Sequence, residues 1–530
     1  ILGRHEQALV HEAEGYARAT GKPGVCIVTS GPGATNTITA IADAHYDSIP
    51  LVVITGQVPQ KLIGNDAFQE VDSVGMTRSI VKYGYTVRDR NKLGRTLKMA
   101  FYIANSGKPG PVLIDIPKDI QTASGDGEYP GEVSIRGYKP NESVHIGQLK
   151  KAYKLLRQAK RPLILAGGGV RISGAEKELQ TLAEKMSIPV VTTIMGKGVI
   201  PEDHPLYVGN AGMHGRFSAN TAICKCDVLL SIGTRFNDRI TGELSEFAPG
   251  ARIIHVDVDT SSISRNVVVD IPVVSDASTA LIKLNEWAEK LDTSEWTDEI
   301  KKWDEAHPLV MGKTKGLSPQ TIMEGINSVF PAGIVTTDVG QNQMWAAQYI
   351  TLGKEKRMIT SGGLGTMGFG LPAAIGAKIG CPDSDVVCIT GDGGFQMNIQ
   401  EMATSLCEGA PVVICLLNNE TLGMVRQFQN LFYGKRFEAT DLNYRRGATD
   451  EKDSEDPGNG RYEYIPDFMK LAESYGARGI RVKEAEDIIP ALEKARDNKS
   501  SSTIIEFIIS SEDMVYPMVK GGNPISEMIL

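Results

Sequence analysis

Three α/β units, each a parallel sheet wound with helices on both faces (a doubly wound parallel sheet), are the fold class that this sequence predicts. Three observations predict it. Short β-rich apolar runs alternate with helical patterns almost from end to end, as strands joined by crossover helices do. The chain has 530 residues, enough for several domains. Irregular stretches rich in Gly, Pro and charge divide the alternating region into three blocks.

Block one covers residues 1–125. Ile1-Leu2-Gly3 reads as the end of a strand, and Arg4-His5-Glu6-Gln7 opens a helix with Leu9, Ala13 and Tyr16 on one face. Val25–Thr29 is a buried strand, Ser30-Gly31-Pro32-Gly33 a turn, Ala34–Asp47 a helix and Leu51–Thr55 the next strand, which together make a βαβ unit. Residues 126–145 form a linker. Block two, 146–290, has strands at Pro162–Ala166, Pro189–Thr193, Asp227–Ile232 and Arg252–Val256. A second linker, 291–317, leads to block three, 318–530, with strands at Ile334–Thr337, Val386–Thr390 and Val412–Leu417. Its polar stretch 443–464, with the acidic run Asp450 to Asp456, reads as an inserted, solvated loop.

Composition narrows the function. Hydrophobic residues make up 41% and charged residues 23% of the chain, an ordinary globular balance. A net charge of −8 gives no electrostatic footprint for nucleic acid or an anionic membrane, and no apolar run reaches the length of a membrane span. The seven cysteines are scattered, with Cys26, Cys388 and Cys415 inside strand-like runs, so a reduced, cytoplasmic chain is expected. Cys224 and Cys226 lack the further ligands of a zinc site.

The sharpest chemical signal lies in block three. The strand Val386–Thr390 ends at Gly391-Asp392-Gly393-Gly394, with a helical pattern from Gln396, and the strand Val412–Leu417 ends at Asn418-Asn419. Adjacent parallel strands would deliver Asp392 and Asn419 to one carboxyl edge, where open α/β sheets bind ligands. Magnesium takes oxygen ligands in an octahedron, usually one or two from protein plus phosphate oxygens. Asp392 offers a charged oxygen, Asn419 a neutral one, and a carbonyl near Thr421 a third. The glycines let main-chain N–H groups approach a diphosphate.

This arrangement resembles the signature of thiamine-diphosphate enzymes. The resemblance implies that Asp392, Asn419 and Thr421 hold Mg2+. It implies a thiamine diphosphate site lined by Gly340, Gln341, Asn342, Gly365, Gly391, Asp392, Gly393, Gly394, Asn419, Thr421, Leu422, Gly423 and Met424, with Met367 as the large apolar side chain under a bent cofactor. Activation then requires a carboxylate, shielded from water, bonded to the aminopyrimidine ring. Glu6 is the candidate. Arg4-His5-Glu6-Gln7 and Glu14-Gly15-Tyr16-Ala17-Arg18-Ala19-Thr20-Gly21 closely resemble the pyrimidine domain of the acetohydroxyacid synthases, as does Thr29-Ser30-Gly31-Pro32-Gly33-Ala34-Thr35-Asn36.

The likeness to the acetohydroxyacid synthase catalytic subunit is nearly continuous from residue 1 to about 442 and resumes at Asp467. It implies decarboxylation of pyruvate on thiamine diphosphate and joining of the two-carbon unit to a second 2-ketoacid, pyruvate or 2-ketobutyrate, for branched-chain amino acid synthesis. Phe68 and Gln69 are implied beside the reaction centre and Lys118 at the substrate entrance. Arg239 is implied as the guanidinium that selects the acceptor carboxylate, with a salt bridge to Asp238 as its bland alternative. Block two resembles a flavin-binding domain. FAD contacts are implied at Gly167, Gly168, Gly169, Met213, His214, Gly233, Arg235, Asp238, Asp257, Val258 and Asp276, for a flavin with no redox task. Val425 and Phe428 are implied in the substrate pocket. The family usually carries Trp where Phe428 stands, so this pocket is expected to prefer 2-ketobutyrate less. Asn342 replaces a frequent histidine, and Lys108 a frequent arginine. With Glu6 and Asp392 in different blocks, a site between two subunits is expected, in a homodimer or homotetramer open to a small regulatory subunit.

Overall fold

The computed structural model describes residues 1–141, 143–446 and 461–530, the side chains of 444–446 and 461–463 excepted. The first sheet holds β1 (Gly24–Val28), β2 (Leu51–Gln57), β3 (Tyr83–Thr86) and β4 (Pro111–Pro117) in the order β1-β2-β4-β3. The second holds β5 (Pro162–Ala166), β6 (Val190–Thr192), β7 (Tyr207–Asn210), β8 (Val228–Ile232), β9 (Arg252–Asp257) and β10 (Ile271–Val274) in the order β10-β9-β8-β5-β6-β7. In the third, β11 (Gly333–Thr337), β12 (Lys356–Ile359), β13 (Val386–Gly391) and β14 (Val413–Asn418) come first along the chain. Two short strands, β15 (Tyr444–Arg446) and β16 (Arg461–Glu463), pair antiparallel within the stretch expected to be an inserted loop, whose acidic run lies outside the described residues. Strands β17 (Arg478–Val482) and β18 (Thr503–Ile508) complete the third sheet, order β12-β11-β13-β14-β18-β17.

Every pairing in the three sheets is parallel. The apolar runs explain this. Strands such as β13 and β14 are buried along almost their whole length, as strands covered by helices on both faces must be. The third sheet reverses its winding between β11 and β13, which opens a crevice at their carboxyl ends.

Several local readings are corrected. Residues 1–5 form no strand; helix α1 (Glu6–Thr20) begins at Glu6 itself. The helix read over Ala34–Asp47 starts earlier, at Pro32 after the positive-φ Gly31 (62°), and is two, α2 (Pro32–Asn36) and α3 (Ile38–Asp47), parted at Thr37, whose N–H (3.2 Å) and hydroxyl (2.7 Å) both turn back to Ala34 O. After β13 the helical turn starts at Asp392, not at Gln396. The second linker carries the helix Ser294–Ala306, whose Trp296 and Ile300 are buried in the core of the middle unit.

Two features fasten the units together. Helix α1 crosses the helix Gly370–Gly380 at main-chain contact: a Cβ on Gly15 would strike the Ala373 carbonyl, and one on Gly376 the Glu12 carbonyl. The segment after β18 leaves the third unit and reaches the middle one. Its strands β19 (Met518–Val519) and β20 (Met528–Ile529) pair, Val519 N donates to Met213 O at 2.8 Å, and Ile525 is buried in the middle unit's core.

Candidate active site

The ends of β13 and β14 lie side by side, with Gly391 opposite Leu417. Asp392 and Asn419 are therefore the first residues beyond two adjacent strands, at the carboxyl edge next to the winding reversal. Asp392 is 2% exposed. Its Oδ1 accepts from Gly393 N at 2.9 Å, while its Oδ2 is buried with no partner among the described residues. Burial pushes this acid up to about 7, against the lowering effect of N–H groups at Gly393 and Glu420. An orphaned oxygen on a buried carboxylate calls for a cation, so the residues present fit a magnesium ion. Asn419 Oδ1 accepts from Thr421 N and Oγ1, both at 3.2 Å, and Asn419 Nδ2 donates to Gln341 Oε1 at 3.2 Å. Gly423 packs so tightly against Gln341 and Asn419 that a Cβ there would displace both side chains.

The opposite wall of the crevice follows β11. Gly340 has φ 134°, a value that suits glycine. Gln341 Nε2 donates to Gln427 Oε1 and Asp513 O, both at 2.9 Å. The buried Asn342 carries an Oδ1 with no partner among the described residues, and its Nδ2 lies against Gly391. The terminal methyl of the half-buried Met367 faces Gly393. Thus Gly340–Asn342, Gly365–Met367, Gly391–Gly394 and Asn419–Met424 converge on one edge. Sequence reasoning missed Asp338. This buried carboxylate accepts N–H bonds from Val339, Gly368 and Gly370 (2.8–3.1 Å) and pins the turn beyond Met367 to the end of β11. A charged residue directly after a buried strand and two positions before a glycine was the available signal.

Glu6 sits apart from this edge in its surroundings. It opens α1, beneath the Gly31–Asn36 turn: Asn36 Nδ2 donates to Glu6 Oε2 at 2.9 Å, and His5 Nδ1 lies 3.5 Å away. Burial raises its acid, but the Asn36 and His5 contacts prevail and leave it below the ordinary range. Its side chain is 32% exposed, so the expected shielding from water is not provided within a single chain. Phe68 is 88% exposed. Gln69 has φ 60° and packs its main chain on Gly31, and Lys118 is exposed at the start of the helix Lys118–Thr122. Glu6, Phe68, Gln69 and Lys118 therefore lie on the surface of the first unit.

A cavity of about 830 Å³ opens where the three units meet. Met213, His214, Arg235, Asp238 and Arg239 line it from the middle unit, and Gly340, Gly365, Met424 and Phe428 from the third. Lys108, Arg216 and Arg265 add to its positive lining, which suits an anionic dinucleotide such as FAD. The other residues expected at a flavin do not line it. Gly167 and Gly169 have another reason to be glycine, since a Cβ on either would strike Gly233. Gly168 packs on Met195. Asp276 caps a helix by accepting from Ser278 N and Thr279 N, and Asp257 accepts from Asp259 N at 2.8 Å beside the half-buried Val258. Arg239 lies 3.6 Å from Asp238, but both side chains are largely exposed (60% and 78%), so the pair holds the guanidinium only weakly. Phe428 also lines a second, smaller pocket with Val425, Gln429 and Tyr433.

Comparison with known proteins shows the family. Models of the thiamine pyrophosphate enzymes match residues 1–76 (N-terminal TPP binding domain), 149–284 (central domain) and 338–507 (C-terminal TPP binding domain). The acetolactate synthase large subunit of Corynebacterium glutamicum is 45% identical over 100% of this chain and 83% of its own length. The probable acetolactate synthase large subunit of Methanococcus aeolicus is 47% identical over 99% of this chain and 88% of its own. The acetolactate synthase large subunit of Haemophilus influenzae is 43% identical over 100% of this chain and 91% of its own length. With three matched domains in order on three parallel sheets, and identity sustained over the full chain, the protein belongs to the acetolactate synthase large-subunit family of thiamine pyrophosphate enzymes.

Proposed function

We propose that this protein is the catalytic subunit of an acetohydroxyacid synthase, which decarboxylates pyruvate and joins the two-carbon fragment to a second 2-ketoacid. The observation that carries the reading is the pair Asp392 and Asn419 on adjacent strand ends, the first with a buried carboxylate oxygen that has no partner among the described residues.

Asp392, Asn419 and the Thr421 carbonyl would hold magnesium and through it a diphosphate. Gly391–Gly394 and Leu422–Met424 would line the diphosphate, and Gly340–Asn342, Gly365 and Met367 the rest of the cofactor. Thiamine diphosphate, when bound, would supply an acidic thiazolium carbon whose conjugate base is a nucleophile towards a ketoacid carbonyl, and a ring that serves as the electron sink for decarboxylation. Glu6 would hold a proton at the pyrimidine ring nitrogen, with Asn36 fixing its orientation. Because Glu6, Phe68, Gln69 and Lys118 face outward on the first unit, a second copy of the chain is the natural partner to enclose them, giving a homodimer or larger assembly. Water exclusion by that partner would raise the Glu6 acid from its present low value. Arg239 would orient the acceptor carboxylate, and Val425 and Phe428 would bound its side chain. FAD would occupy the positively lined cavity without redox work, against Met213, His214, Arg235 and Asp238.

The test is incubation of the protein with pyruvate, magnesium, thiamine diphosphate and FAD, followed by assay of acetolactate and carbon dioxide. Acetolactate at half the molar yield of pyruvate consumed is expected. Acetaldehyde or hydrogen peroxide in place of acetolactate would refute the synthase reading in favour of a decarboxylase or an oxidase.

A further inference from the structure

The glycine-rich segment between Thr360 and Phe369 carries Gly365 and Met367, yet it is gripped by side chains more than 300 positions earlier. Ser361 Oγ accepts N–H bonds from Gly365 at 3.0 Å and Thr366 at 2.9 Å. With both acceptor directions used, its own proton goes to Asp43 Oδ1 on α3. The same Oδ1 accepts from Thr366 Oγ1 at 3.2 Å. Asp47 Oδ2 accepts from Gly362 N at 3.0 Å, and Arg18 Nη1 donates to Thr360 O at 2.6 Å. Asp43, Ser361 and Thr366 are all buried. The acids here gather around an arginine, not a metal: Arg18 Nη2 lies 3.1 Å from Glu14, 3.0 Å from Asp47 and 3.8 Å from Asp43.

Four glycines between 362 and 368 give this turn many conformations to lose on binding a ligand. The hydroxyl of Ser361 ties the turn into one of them, and Asp43 orients that hydroxyl. We propose that Asp43, acting through Ser361, is a positioning residue that preorganises the Gly365–Met367 turn for thiamine diphosphate. This rests on the reading above that Gly365 and Met367 line the cofactor. Preordering a loop raises affinity by removing the cost of ordering it on binding.

The experiment is calorimetric titration of the whole protein with thiamine diphosphate at saturating magnesium, together with thermal unfolding of each variant without cofactor. Ser361→Ala, which removes a single hydroxyl, and Asp43→Ala should each weaken binding about tenfold, the scale of one buried hydrogen bond left unmade. The double variant should bind no worse than the weaker single one, because both changes cut the same link. Asp43→Asn, which keeps an acceptor oxygen, should recover to within about threefold of the native affinity. Native affinity in a folded Ser361→Ala protein, or additive losses in the double variant, would overturn the proposal. Asp392→Ala separates the two levels of inference. If Asp392→Ala abolishes binding while Ser361→Ala does not weaken it, the positioning role alone fails. If Asp392→Ala binds as tightly as the native chain, the cofactor site itself has been misassigned and the proposal falls with it.

Discussion

The acceptor preference of this enzyme is open to a quantitative prediction at Phe428. The ring lies half-buried on the wall of the large central cavity and also borders the smaller pocket with Val425 and Tyr433. Its one aromatic neighbour among the described residues, Phe432, is 5.9 Å away and tilted by 54°, and the two cavities that the ring borders leave space beside it. Pyruvate and 2-ketobutyrate differ by a single CH₂ group. Full burial of one CH₂ contributes about 0.8 kcal/mol, and about 1.4 kcal/mol corresponds to a factor of ten. Contact with Phe428 can therefore favour 2-ketobutyrate by at most about fourfold. Phe428→Trp extends the apolar wall into the remaining space and should raise that preference. The assay supplies both ketoacids in competition and measures the ratio of 2-aceto-2-hydroxybutyrate to acetolactate over a range of substrate ratios. A native preference well above about tenfold, or no increase in Phe428→Trp, would refute the argument that apolar contact at this position sets selectivity.

Other outcomes follow from the same structure. Glu6→Gln keeps an acceptor for Asn36 but cannot share a proton. It should lower turnover by about 10²- to 10⁴-fold while weakening thiamine diphosphate binding by no more than about tenfold, the scale of one hydrogen bond, and near-native turnover would remove Glu6 from the chemistry. Glu12 is buried, and burial, reinforced by the nearby Glu401, pushes its acid up to about 9. The folded chain therefore retains a proton that the unfolded chain releases, and stability must fall as pH rises from the ordinary carboxyl range towards 9. The slope is up to about 1.4 kcal/mol per pH unit for one group, and Glu12→Gln should flatten it in urea titrations at pH 6 and pH 8. An unchanged slope would show that Glu12 ionises freely. Gly376→Ala places a methyl group against the Glu12 carbonyl in the α1 crossing and should destabilise the protein by about 1–3 kcal/mol, measured as a lower urea midpoint; an unchanged midpoint would mean the two helices separate at little cost.

The strand ends that make the site were legible in the chain because local chemistry marks them. Val386–Thr390 and Val412–Leu417 are unbroken apolar runs that stop at Gly-Asp-Gly and Asn-Asn, and the observed strands Val386–Gly391 and Val413–Asn418 shift those limits by one residue at most. Glu6 was legible only by resemblance. A glutamate at a helix start is ordinary, and its partner Asn36 lies 30 positions away, beyond the reach of any helical or strand period.

What the amino-acid sequence determined by itself is the set of elements and the chemistry at their ends, since periodicity, glycine and proline act within a few residues of one another. Only the tertiary structure decided which ends meet. It set β11 beside β13, bringing Asn342 against Gly391. It turned Gly167 and Gly169 towards Gly233, sent Ile525 into the core of the middle unit, and bound Ser361 to Asp43. Each of these joins residues far apart in the chain, and its energy comes from burial and hydrogen bonding that exist only after the sheets have packed.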